Sequence, residues 1–315
     1  MAAEFLHALS AVFLIFCLMA IGYVCGMLKW MEAGDKKFVT RFIMNIAMPL
    51  NCIHGLLNNV KHEDLSSMGN MLAVPLATVL AMLVLSFGAA KVLKLPRKRE
   101  GVFIAMSFLS NTLFIGLPMA TQLFGDVAVP YVMSYWMVST CFTQSVALLL
   151  VEHAGGSGGG SFSPVSFIKD IFTKPPIIGL ILGYAMLWFN FRPPELFMSL
   201  TKYMSQTVTP LALLYSGYIM YELGLKNVRM EKGMPAMLIL RLIVSPILCF
   251  AFCVLFRVEG LARNVFIIES ALPVVTQITV MAGNYHADDQ YCAAGSVLST
   301  LGIFITIPII MVLLP

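Results

Sequence analysis

Ser110-Asn111-Thr112-Leu113-Phe114-Ile115-Gly116-Leu117-Pro118 lies inside a long apolar segment that spans residues 102–124. A lipid-facing helix has no use for Asn, Thr, Gly and Pro packed so closely. Asn111 and Thr112 bring hydrogen-bonding groups that hydrocarbon cannot satisfy, while Pro118 removes a backbone donor and opens the helical ladder. Broken helices at membrane depth are tolerated only where protein or a water-filled cavity surrounds the break. The stretch is therefore expected to be the discontinuous helix of a transport site.

The composition agrees. Of the 315 residues, 59% are hydrophobic and 11% charged, against roughly 25% charged in soluble domains. That is the make-up of a polytopic membrane protein. A span needs about 20 apolar residues, and ten segments qualify, near 5–28, 38–58, 68–93, 100–124, 127–152, 175–191, 196–223, 233–256, 262–284 and 289–314. Pro49 and Pro210 are expected to break the second and seventh. The first begins near Phe5, has no basic n-region and is long enough to stay as a membrane helix rather than a cleaved signal. Nucleic acid is excluded as a partner, because no basic run has aromatic interleaving. The seven Cys show no C-x-x-C, and Cys249 and Cys253, one helical turn apart, lack the His partners of a metal site, so they read as small reduced core residues.

The connection 154–174 holds Gly-Gly-Ser-Gly-Gly-Gly-Ser, the composition of a flexible linker. It separates a first five-span unit, 1–153, from a second, 175–315. Fourteen of the twenty Lys and Arg fall on one side, in the loops after spans one, three, five and seven, five fall on the other, and the remaining one, Arg241, lies within span eight. The basic side should face the cytoplasm, with both termini outside. An odd number of spans per half then inverts the two halves relative to each other. Three internal matches support a repeat. Arg41 precedes Pro49 by eight residues, as Lys202 precedes Pro210; Val102-Phe-Ile104 parallels Val265-Phe-Ile267; and Gly22/Gly26 parallels Gly179/Gly183, a spacing suited to close helix packing. Inverted repeats with interrupted helices in corresponding positions point to a secondary transporter with a midplane site.

In span nine the counterpart of the opening stretch is Glu269-Ser-Ala-Leu-Pro273-Val-Val-Thr276-Gln277. Glu269 is the one acid deep inside a span. A mid-bilayer carboxylate costs on the order of 2.5–3.5 kcal/mol even on the lenient insertion scale, so it should bind a coupling Na⁺ or proton, or else brace the crossing as a neutral group. Asn111, Thr112, Thr276 and Gln277 are the uncharged polar groups around the two breaks. Helix N-termini meeting there would attract a carboxylate without a buried Lys or Arg; the bland alternative is interhelical glue, worth about 0.6 kcal/mol. Asn45, Asn51 and His54 flank Pro49, and Gln144 follows Thr143 in span five. Asn51 and Gln144 are candidate cavity residues, against the default of packing contacts. Arg41 and Lys202 should snorkel to the interface. No Walker loop, His-Glu-x-x-His helix or Gly-x-Ser-x-Gly elbow is present, so an enzyme is not expected.

The run Ser110 to Pro118, followed by Leu123-Phe-Gly125, resembles the fourth-helix signature of the auxin efflux carrier family, which includes plant auxin carriers and bacterial permeases linked to malonate or malate. Arg41-Phe42 leading to Met48-Pro49-Leu50 is similar to its second helix. Ser270-Ala-Leu-Pro273 and Val297-Leu-Ser-Thr-Leu301 to Pro308 resemble its ninth and tenth. The resemblance implies an all-α fold of ten transmembrane helices in two inverted five-helix repeats, with helices four and nine broken and crossing. Sodium/proton antiporters and bile-acid sodium symporter-like proteins share that architecture. It also implies that helices one, two, six and seven form a scaffold against which the rest move, elevator fashion.

Asn111, Pro118 and Pro273 carry over as site residues. Ile278 stands where the plant carriers have a second proline, and Thr276, Gln277 and Thr279 are expected to satisfy the freed backbone groups instead. The long hydrophilic central loop of plant members is missing, which favours a permease of the bacterial cytoplasmic membrane. An acid in the ninth helix of sodium-coupled relatives keeps Na⁺ near Glu269 open, with no other cofactor implied. The family's frequent dimers imply a homodimer in the bilayer. The expected function is secondary transport of a small organic carboxylate, coupled to H⁺ or Na⁺. The competing readings are a membrane receptor that keeps the fold and a bile-acid-type sodium symporter.

Overall fold

A computed structural model describes residues 2–59, 71–156, 173, 175–224 and 229–314. Most of the Gly/Ser connection, and with it Lys169 and Lys174, lies outside the described residues, as do Lys61 and Lys226. Helix α1 is Ala2–Met27. Helix α2, Ala33–Phe42, passes through a π-turn, Ile43–Ala47, into α3, Met48–Asn59. Then follow α4 (Ala73–Leu93), α5 (Arg97–Phe108), α6 (Leu117–Phe124), α7 (Val129–Phe142), α8 (Leu148–Ala154), α9 (Pro175–Trp188) and α10 (Glu195–Leu223). The chain ends with α11 (Met234–Ile239), α12 (Ser245–Leu255), α13 (Gly260–Ser270), α14 (Thr276–Asn284) and α15 (Asp289–Leu313). Among the described residues four helical runs are long and apolar enough to cross a membrane: Ala73–Leu93, Asp126–Ala154, Met234–Leu255 and Asp289–Leu313. Val84, Val92, Ile305 and Leu313 are among the large apolar side chains left exposed on them. The protein is an all-helical membrane protein.

Prolines shape these helices in a regular way. Among the described residues four π-turns interrupt the ladders, at Ile43–Ala47, Thr112–Gly116, Thr143–Ala147 and Leu240–Val244. Three of them end two residues before a proline: Pro49, Pro118 and Pro246. A proline ring clashes with the carbonyl four residues back and brings no N–H. A turn widened by one residue relieves both problems without ending the helix. Pro49 therefore does not break its span as the sequence predicts. Nor does Pro210, which sits inside the 29-residue α10. There one missing donor is outvoted by the intact turns on either side.

Small residues set the closest packing. α1 lies on α10 and α9 on α3. A Cβ at Gly22 would strike the Leu214 carbonyl, and one at Gly179 the backbone of Pro49. Both glycine pairs thus serve the close approach expected of them. The other helices pack around α5–α6 and α13–α14, with α5 touching α4, α8 and α15, and α13 touching α7 and α12. Ion pairs lock two helix-end clusters. Lys36 binds Glu222 at 2.6 Å, joining α2 to α10. Arg99 Nε donates to Asp288 at 2.8 Å, pairs with Glu231 and lies 4.6 Å over the Tyr291 ring. None of the seven cysteines is joined in a disulfide.

Candidate functional site

The opening stretch breaks its helix. α5 stops at Phe108, residues 109–111 are non-helical, and a π-turn restarts the ladder at Thr112. The Asn111 side-chain oxygen accepts from the Phe114 N–H at 3.3 Å, capping the new helix. The second break mirrors the first. α13 ends at Ser270, residues 271–275 are non-helical, and α14 starts at Thr276. The two interruptions run antiparallel past each other: Ser110 and Val274 form an isolated bridge, and the Asn111 N–H donates to the Pro273 carbonyl at 2.8 Å. Backbone groups orphaned by the broken ladders thereby satisfy each other.

Span nine breaks without a second proline because helix α15 supplies a partner. The Ser299 hydroxyl accepts from the Val274 N–H at 3.1 Å. The three polar residues expected to take that part bond to side chains instead. Thr276 accepts from Asn111 Nδ2 at 3.0 Å, Gln277 donates to Gln144 Oε1 at 3.0 Å, and Thr279 meets Ser296 Oγ at 3.1 Å.

A cavity of about 320 Å³ lies against this crossing. Of the expected site residues, Asn111, Thr112, Gln144, Thr276 and Gln277 line it. Residues that sequence reasoning missed complete the wall: Ser110, Ser139 and Thr140, with Trp136, Phe114 and Tyr215 as the aromatic part. The Phe114 and Tyr215 rings stand 4.8 Å apart. Among the described residues no Lys, Arg, His, Asp or Glu lines the cavity. The hydroxyls of Ser110 and Ser139 are buried without a protein partner. Aromatic residues in an apolar span look like lipid-facing bulk in a sequence, so nothing marked Trp136 and Tyr215, and Phe114 was not singled out within the Ser110–Pro118 stretch. The polar Ser and Thr around residue 140 were a usable signal.

Four expected residues fall elsewhere. Pro118 lies in the first turn of α6, and Pro273 contributes through its carbonyl to Asn111. Asn51 lines a separate cavity of about 210 Å³ with Gln122, Asp126, Ser205, Gln206 and Thr209. Glu269 is fully buried behind the crossing, and neither carboxyl oxygen has a hydrogen-bond partner. It presses on Gly116, where any added Cβ would meet both oxygens and Leu272. His54 sits 3.3 Å from the Thr201 hydroxyl and Asn45 donates to the Arg41 carbonyl at 2.8 Å, so both make packing contacts. Among the described residues no three His, Cys, Asp or Glu come together to hold a metal.

Two broken helices, packed within apolar spans and meeting at a cavity with an aromatic wall and a cluster of uncharged polar groups, define a membrane carrier type of architecture. The chain belongs to the membrane transport protein family, that of the auxin efflux carriers, whose model matches residues 7–159 and 161–311. It is 25% identical over 297 residues to an uncharacterized transporter of Methanocaldococcus jannaschii, covering 93% of this chain and 94% of that protein. An uncharacterized transporter of Methanothermobacter thermautotrophicus is 21% identical over 318 residues, covering 98% and 99%.

Proposed function

We propose that the protein is a secondary carrier of a small organic carboxylate and that the 320 Å³ cavity is its substrate site. One observation carries this reading. Two helix N-termini and two unpartnered hydroxyls, Ser110 and Ser139, converge on a cavity that no charged side chain lines among the described residues. Each N-terminus is equivalent to roughly +0.5 charge, so the pair balances about one carboxylate. That favours a monoanion over a dianion. The volume lies at the small end of ligand pockets, roughly 300–1,000 Å³, and the aromatic wall suits an apolar body behind the carboxylate.

The architecture supports alternating access. We read the fold as ten spans in two inverted repeats of five, since α1 packs on α10 as α9 packs on α3, and each half has one broken helix at the crossing. With the basic loops in the cytoplasm, the cavity faces inward, reached past Thr40, Gln144 and Val280. The Asn51 cavity then lies on the outer side, at the end of α6. Glu269, with two unpartnered oxygens, requires a proton or a cation at that depth. It is the candidate coupling group.

Counterflow in proteoliposomes tests the function. Purified protein preloaded with a monocarboxylate should accelerate entry of the labelled compound. If no carboxylate moves under any pH or Na⁺ gradient, the reading fails. If ligands stabilise the protein thermally but none is translocated, the protein is a receptor.

A further inference from the structure

Arg241 is the largest side chain with no surface exposure, and it sits within the π-turn Leu240–Val244. Its Nη1 donates to the Ser107 carbonyl at 3.5 Å. Its Nη2 donates to the Ser270 carbonyl and, at 2.7 Å, to the Ser245 hydroxyl. Ser107 lies in the last turn of α5, and Ser270 is the last residue of α13. These are the two helices that stop at the crossing. Their final carbonyls have no next turn to supply a donor.

The charges match. Each helix C-terminus is equivalent to roughly −0.5 charge, so two of them together roughly balance one guanidinium. A guanidinium is also the side-chain cation shaped for the task, because its rigid fork presents several donors in one plane. Glu269 is not its partner, since both of that residue's oxygens lack one. The cavity occupies the other pair of helix ends, the N-termini at Thr112 and Thr276.

We propose that Arg241 is a positioning residue. It clamps the C-terminal ends of α5 and α13 together, and thereby fixes where Asn111 and Thr276 stand at the cavity. Calling that cavity a substrate site rests on the transport reading; the clamp does not.

Hydrogen exchange on ligand-free protein in lipid nanodiscs tests it. Arg241→Met fills similar length without charge. It should speed amide exchange about tenfold or more, the scale of a lost charge-assisted hydrogen bond, at residues 109–116 and 271–277 together. Exchange in α1 and α10 should not change. Arg241→Lys keeps one charge but not the fork, and should protect one break better than the other. Wild-type exchange at both breaks in Arg241→Met would overturn the clamp, as would acceleration at one break alone or throughout the protein. Should the Met variant not fold, the Lys variant decides: full protection at both breaks overturns the proposal, and loss at either supports it. Because no ligand is present, a failure here is separate from a failure of carboxylate transport.

Discussion

Asn111 and Thr276, 165 residues apart in sequence, are joined side chain to side chain across the crossing, Nδ2 donating to the hydroxyl at 3.0 Å. Each is at the start of the helix that resumes after a break, and both face the same cavity. The bond therefore couples the two halves of the chain at the point where a substrate carboxylate would sit.

Changing Asn111 separates stability from binding. Asn111→Ala removes a helix cap and one hydrogen bond, a loss of about 1–2 kcal/mol, and should lower carboxylate uptake more than tenfold. Asn111→Asp keeps the capping oxygen but places a negative charge on the cavity wall. Its thermal stability should stay nearer wild type while uptake falls further than in the Ala variant. Wild-type uptake by Asn111→Asp would rule out an anion site.

The two unpartnered hydroxyls give a cleaner separation. Ser110→Ala and Ser139→Ala break no hydrogen bond made by either hydroxyl within the protein, so the melting temperature should hold. Substrate affinity should fall about fivefold for each, the worth of a hydrogen bond near 1 kcal/mol. Titration by isothermal calorimetry or thermal shift reads both quantities.

Glu269→Gln keeps the shape of a side chain that is fully buried and removes its capacity to bind a proton or a cation. Uptake by proteoliposomes should lose its dependence on the pH or Na⁺ gradient. A dependence unchanged from wild type would leave Glu269 only a bracing role.

Gly116 and Glu269 form a matched pair. A methyl at residue 116 would meet the carboxyl oxygens and Leu272. Gly116→Ala should cost about 1–3 kcal/mol by overpacking, measured by thermal unfolding. Shortening the acid in the double variant Gly116→Ala/Glu269→Ala should recover part of that loss, a non-additivity expected of residues in contact. Additive effects would place the two side chains apart.

Much of this was legible in the residues. The helical runs follow the apolar segments to within a few residues, since bilayer thickness and apolar length impose the same limits. The breaks were legible because Asn111, Thr112 and Pro118, and later Pro273 and Thr276, put backbone-competing chemistry where hydrocarbon offers no substitute. Trp136, Phe114 and Tyr215 were hidden, because an aromatic ring facing a cavity and one facing lipid look alike in sequence. Arg241 was legible as the one Lys or Arg within span eight, but its role was not, because the Ser107 and Ser270 carbonyls it binds are marked by no sequence pattern. Ser299 was hidden for the same reason, its partner being the Val274 N–H.

The wide turn at Ile43–Ala47 has a consequence for how one span is phased. In a regular helix each residue advances about 100°, so Thr40, Met44 and Asn51 would share one stripe. The extra residue in the turn rotates everything beyond it back by about that angle. Thr40 and Met44 stay on the 320 Å³ cavity, and Asn51 is turned out of that stripe to line the other. Pro49, two residues past the turn, opposes its tightening, because a regular ladder would press the ring on the carbonyl of Asn45. A single helical segment thus serves two chambers in two different phases.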